Sequence, residues 1–283
     1  MKAETLSPSV SNHGEGLCWD ASISRMLWVD MLAGDVLATD PESGYTERWP
    51  GPTDHMAMIR PRKSAGWLAA LGDTIATAEE LGGAWTRANW TIDSDAEIFN
   101  EGGCNPDGQL YVGTAARDEV SPVGHLYVVT SDGPLVILEG ITLSNGLAFT
   151  TDPSIAYYTD SMTKRIDRLR FEGPVARPHR EPVAEIEIEG LPDGLCVDSQ
   201  GAIWVAIWGA GEVHRYTPNG ELSEIVQVGA PNPTACQFGK HDLATLFIST
   251  SRLETDIEMY PAAGALHAVS PGIAGLPTMR AAG

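Results

Sequence analysis

A short apolar run built around an aromatic or β-branched residue recurs along the whole chain, and its spacing constrains the architecture. The six instances are Leu27-Trp28-Val29, Trp67-Leu68-Ala69, Leu110-Tyr111-Val112, Tyr157-Tyr158-Thr159, Ile203-Trp204-Val205 and Leu246-Phe247-Ile248. With Trp28, Leu68, Tyr111, Tyr157, Trp204 and Phe247 as markers, the intervals are 40, 43, 46, 47 and 43 residues. A unit of that length holds four short strands, the size of a propeller blade. Six near-equal units favour radial closure over a two-sheet sandwich. Turn sequences such as Asn105-Pro106-Asp107-Gly108 and Thr217-Pro218-Asn219-Gly220 separate the runs. No amphipathic helix is evident. Residues 177–190 are acidic and proline-flanked with Ile186 and Ile188 in alternation, which predicts a strand. The expectation is an all-β six-bladed β-propeller with a central channel, one domain spanning residues 1–283. Its least regular segment, residues 115–123, reads as a long surface loop or a lid over the channel mouth.

Charge narrows the function. Lys plus Arg number 18 against 38 Asp plus Glu, a formal net charge of −20. Such a surface repels phosphate backbones and anionic lipid, so no nucleic-acid or membrane partner is expected. No stretch is long and apolar enough to cross a bilayer. The N-terminal sequence MKAETLSPSVSNHGE has no apolar core of a secretory signal, which points to a cytoplasmic protein. Cys18, Cys104, Cys196 and Cys236 form no C-x-x-C pair and read as buried thiols. Nothing in the pattern sets an oligomeric state.

A second repeat precedes the markers. Glu15-Gly16-Leu17-Cys18, Asn145-Gly146-Leu147-Ala148 and Asp193-Gly194-Leu195-Cys196 share an oxygen-bearing residue, then Gly, Leu and a small residue; Asn100-Glu101-Gly102-Gly103 is a variant. The distances to the markers agree within two residues. In a propeller the first strand of each blade lines the channel. Glu15, Asn100, Asn145 and Asp193 are therefore expected as a ring at one end of it, and the same register extends to His55 and Thr234. Facing carboxylates are costly to bury without a cation or a proton. With carboxamide oxygens beside them they make an all-oxygen donor set suited to one divalent cation, Ca²⁺ first, with Mg²⁺, Mn²⁺ or Zn²⁺ as alternatives. The glycines following the donors permit close backbone approach at a crowded axis.

Other residues carry less. Trp208 is a pocket wall or a packing residue. His13 reads as an exposed histidine, and Arg60-Pro61-Arg62-Lys63 as a solvated turn in blade two. No G-x-S-x-G elbow or H-E-x-x-H motif occurs.

At these motifs the chain resembles the senescence-marker-protein/gluconolactonase/luciferin-regenerating enzyme family, which includes regucalcin. The resemblance runs from about Gly14 to Pro277. It rests on Gly14-Glu15-Gly16-Leu17-Cys18-Trp19, NEGGCNPDGQLYVGT from Asn100 to Thr114, Ser144-Asn145-Gly146-Leu147-Ala148-Phe149, Leu191-Pro192-Asp193-Gly194, Gly201-Ala202-Ile203-Trp204-Val205-Ala206 and Cys236-Gln237-Phe238-Gly239. The resemblance implies one catalytic divalent cation held by Glu15, Asn145 and Asp193, with Asn100 contacting substrate and reaching the metal directly or through water. It implies hydrolysis of a small lactone such as a sugar lactone. Asp193 is the expected proton acceptor. Ile98 stands where the family often has a substrate-binding arginine, and Gln109 replaces another; His55 and Arg117 are candidate replacements in the pocket. A phosphotriesterase or aryl-ester hydrolase on the same metal, and a non-catalytic calcium- or ligand-binding propeller, are the rival expectations.

Overall fold

The computed structural model describes residues 1–92 and 95–282. It contains six four-stranded antiparallel sheets. The inner strands are Gly14–Asp20, Met56–Pro61, Glu97–Cys104, Ser144–Phe149, Leu191–Val197 and Pro233–Gly239, for blades one to six. Each packs against the next, and the sixth against the first, so the sheets close around an axis as an all-β six-bladed propeller. The markers Trp28, Leu68, Tyr111, Tyr157, Trp204 and Phe247 all lie on second strands and are buried. Their side chains fill the wedges between sheets, which is why the repeat is visible as large apolar residues at blade spacing. Among the described residues the only helix is a 3₁₀ turn, Ser161–Thr163.

Two segments outside the repeat complete the ring. The N-terminal strand Glu4–Thr5 pairs with His267–Val269, giving blade six its fourth strand. Across the opposite end of the channel from the ring residues, the C-terminal tail links distant blades. Ser199 N–H donates to Ala274 O, Leu276 N–H to Val197 O, and Lys63 N–H to Ala281 O at 2.7 Å.

Two local expectations change. The strand read into residues 177–190 is His179–Glu185, and both isoleucines follow its end, Ile186 buried and Ile188 exposed. Their alternation marks burial at a strand exit rather than a continuing ladder. Ala115 and Ala116 stay within the strand Leu110–Ala116, so only residues 117–123 leave the sheet.

Candidate functional site

Every inner strand carries a bulge at the same level, and the bulges build the site. Asn145 and Gly146 together oppose one residue, as do Asp193 with Gly194 and Thr234 with Ala235. Gly16 and Leu17 oppose Trp28 alone; Asn100 and Ala57 are single unpaired residues. A bulge breaks the ladder and re-aims a side chain. Six of them around one axis turn the oxygen-bearing residues towards the channel. The register in blade two falls on Ala57, however. His55 lies one residue ahead of its strand, above the ring, with its Nε2 2.9 Å from Phe99 O.

The glycines of the X-Gly-Leu repeat are needed because neighbouring bulges press together. A Cβ on Gly146 would stand 2.7 Å from Asp193 O, and one on Gly194 2.6 Å from Ala235 Cβ. Gly16 adds a left-handed φ of 62°.

Hydroxyl groups from outside the inner strands hold the ring. Asn145 Nδ2 donates to Ser161 Oγ (2.9 Å), and Ser161 Oγ–H donates to Pro192 O (2.6 Å), the carbonyl just before Asp193. That leaves Asn145 Oδ1 as acceptor, 3.2 Å from Asn100 Nδ2, which also donates to Ser144 O at 2.9 Å. Thr159 Oγ1–H donates to Asp193 O (3.2 Å). Thr234 itself is buried, bonded to Ser249 Oγ at 2.7 Å and to Gly14 O, so it braces the ring.

The electrostatics are strained in one direction. Glu15 and Asp193 are 3% and 6% exposed. Burial, followed by the charges of Asp193 and Glu101, pushes the Glu15 carboxyl well above its ordinary range. Burial and then Glu101 do the same to Asp193. Glu15 Oε2 accepts the Gly16 N–H at 3.1 Å, whereas Asp193 Oδ1 is buried and has no hydrogen-bond partner. Such an orphaned acceptor costs free energy unless a proton or a cation meets it. Among the described residues no three Asp, Glu, His or Cys side chains converge to hold a metal. A cation here therefore needs carboxamide oxygen as well as Glu15 and Asp193. Asn145, oriented by Ser161, presents such an oxygen, so the residues fit a hard cation.

Sequence reasoning missed two ring neighbours. Glu101 follows a one-residue bulge and also enters the channel, 6% exposed, accepting the Gly102 N–H at 2.8 Å. Arg60, expected in a solvated turn, lies on the inner strand of blade two with its guanidinium inside the channel. Its basic neighbours Arg62 and Lys63 masked it; its place on an apolar run, Met56-Ala57-Met58-Ile59, was the available signal.

The mouth is also better defined. His13 is not exposed: its side chain is 14% accessible, with Nε2 3.7 Å from Glu15 Oε1 and Nδ1 2.9 Å from Ser251 Oγ. Burial lowers its pKa to about 4, against a raising effect of Asp30, so the ring is neutral at neutral pH. Trp208 packs on it at 5.8 Å between centroids. Ile98 is half-buried beside His55, over Gly72. Arg117 is exposed just beyond its strand, and its charge adds to the burial that lowers the His55 pKa. Below the ring a cavity of ≈ 70 Å³ is lined by Leu17, Arg60, Glu101, Cys196 and Cys236 and floored by Leu276 to Met279. All four cysteines are buried free thiols. A larger concavity of ≈ 570 Å³ lies away from the ring, beside Asn105, Gln109, Ser154 and Phe171, and contains none of the ring residues.

Fold and site together define a class: a six-bladed propeller with a buried oxygen-donor ring in its channel. The chain belongs to the SMP-30/gluconolactonase/LRE-like family, whose model matches residues 13–252. It is 31% identical over 278 residues to the pentonolactonase XacC of Haloferax volcanii, covering 94% of each protein. It is 28% identical over 300 residues to regucalcin of Oryctolagus cuniculus, covering 100% of this chain and 99% of that one. Among solved structures, the calcium-binding protein regucalcin from Agrobacterium tumefaciens superposes with a TM-score of 0.90 at 23% identity, over 99% of this chain and 97% of the other. The family includes sugar lactone lactonases and gluconolactonases.

Proposed function

We propose that this protein is a divalent-cation-dependent lactonase that opens a small sugar-like lactone at the channel ring. The observation that carries this reading is the buried, unpartnered Asp193 Oδ1 beside Glu15 and Asn145 in a chain of this family. Glu15, Asn145 and Asp193 would hold the cation, calcium being the first choice for an all-oxygen set. When bound, that ion supplies Lewis acidity toward the lactone carbonyl and toward water.

The chain's own groups do the rest. Asp193 keeps a carboxylate oxygen to accept a proton from the attacking water, and burial favours its neutral, proton-carrying form afterwards. Asn100 Nδ2 spends its two N–H groups on Ser144 O and Asn145 Oδ1, which orients the Asn145 oxygen and leaves the Asn100 carboxamide oxygen as the atom that would meet substrate or a water of the cation. His13 and Trp208 form one wall of the mouth, while His55, Ile98 and Arg117 form the other approach. Ile98 favours a lactone of modest polarity, or an aryl ester, over a sugar-acid lactone.

Hydrolysis of aldonolactones, aliphatic lactones, aryl esters and a phosphotriester, each with and without chelator, tests the proposal. Lactone turnover that chelation abolishes and calcium restores is expected. Chelator-insensitive turnover, or cation binding with no turnover of any substrate, contradicts it.

A further inference from the structure

Arg60 reaches from blade two across the channel to its two neighbours. Its Nη1 donates to Gly16 O at 3.0 Å, and its Nη2 donates to Gly102 O at 2.8 Å. Those carbonyls follow Glu15 in blade one and Glu101 in blade three. Nη2 also lies 3.6 Å from Glu101 Oε1, with both side chains largely buried. The guanidinium thus straps together the two peptides next to the bulges that present Glu15 and Asn100. It also brings one positive charge beside Glu101, the carboxylate whose charge acts on both Glu15 and Asp193. Fully ionised, those four groups carry a net charge of −2, which one divalent ion neutralises.

We infer that Arg60 and Glu101 form a positioning pair that fixes both the spacing and the net charge of the cation site next to them. The inference rests on the cation-site reading given above. Glu15 and Asp193 already supply −2; the charges of Glu101 and Arg60 cancel each other and keep the total there, while the Arg60 guanidinium holds the blade-one and blade-three bulges at a set separation. Neither needs to touch substrate.

Binding of Ca²⁺ and of Tb³⁺ to chelator-stripped protein, measured by calorimetry, tests the pair independently of turnover. Coulomb energy scales with ion charge. Glu101→Gln should weaken Ca²⁺ about tenfold and Tb³⁺ more, so the Tb³⁺:Ca²⁺ affinity ratio falls about threefold. Arg60→Gln makes the site more negative, so the ratio rises, whatever geometry is lost. Arg60→Lys keeps the charge and loses the two-carbonyl strap, so both affinities fall together and the ratio holds. A merely structural role predicts no opposed shift in the ratio. Equal ratios in the parent, Glu101→Gln and Arg60→Gln, or shifts of the same sign, overturn the inference. If Arg60→Gln does not fold, Glu101→Gln decides: Ca²⁺ affinity within twofold of the parent overturns it. A parent protein that binds neither ion overturns the cation-site reading as well, and so separates the two failures.

Discussion

Asp193 and Ile98 define opposite demands on a substrate. The first is a buried acceptor without a donor; the second is an apolar side chain at the rim, packed beside the His55 ring over Gly72. A substrate carboxylate placed against Ile98 would lose solvation without gaining a partner, a cost of several kcal/mol. Ile98→Arg should therefore raise kcat/KM for hydroxyl-rich or anionic lactones relative to aliphatic ones, by about tenfold or more. Paired kinetics on both proteins check this; a parent that already prefers anionic lactones removes Ile98 from the pocket and leaves Arg117 as the cation there. The nearness of Glu15, Asn100, Asn145 and Asp193 was legible because their distances to the marker strand agree within two residues. Glu101 and Arg60 were not. Glu101 occupies the slot that glycine fills in three other blades, and only the shorter bulge in blade three turns it inward. Arg60 sits in a basic run whose composition suggests solvent, and burial of its guanidinium depends on carbonyl acceptors from two other blades.

At the scale of the strand, the bulge with its glycine is the repeating device. Gly194→Ala would place a Cβ 2.6 Å from Ala235 Cβ, forcing the inner strands of blades five and six apart. Overpacking of this kind costs about 1–3 kcal/mol, and thermal unfolding should show the loss while the other blades keep their sheets. The seam in blade six behaves differently. His267 is fully buried where Thr5 pairs with it, and burial lowers its pKa from 6.5 to about 4. The folded chain holds the ring neutral while the unfolded chain protonates it below 6.5. Stability is thus complete above 6.5 and is lost as pH falls towards 4, by up to roughly 3 kcal/mol for this group. His267→Gln should reduce the drop in melting temperature between neutral pH and about pH 4.5; an unchanged drop assigns acid sensitivity to other groups. Strand periodicity identified the blades, but this seam was hidden in the sequence. A two-residue strand has no alternation to read, and its partner lies at the other end of the chain.

For the whole molecule, a propeller places six strand starts around one axis, so a low-affinity donor from each blade becomes a single site only after closure. The regular spacing of the markers made the closed ring legible, and the family relationship agrees with it. The floor of the channel was not legible, because the C-terminal tail crosses between blades through isolated hydrogen bonds without a periodic pattern. Closure also sets the acid–base behaviour of the ring carboxyls. Glu15, Glu101 and Asp193 all have raised pKa values, chiefly through burial. In the cation-free protein they retain protons that the unfolded chain has released, so their contribution to stability declines as pH rises above the ordinary carboxylate range. A cation must displace those protons, and the increase in melting temperature on adding calcium should therefore grow with pH. The central claim is that Asp193, Glu15 and Asn145 hold one divalent ion in the channel, and calorimetric titration of chelator-stripped protein with Ca²⁺ tests it most directly. The account predicts saturable binding of a single ion per chain in the parent, weakened at least about a hundredfold in Asp193→Ala with the fold retained. Binding of equal strength in Asp193→Ala, or no binding by the parent, would contradict it.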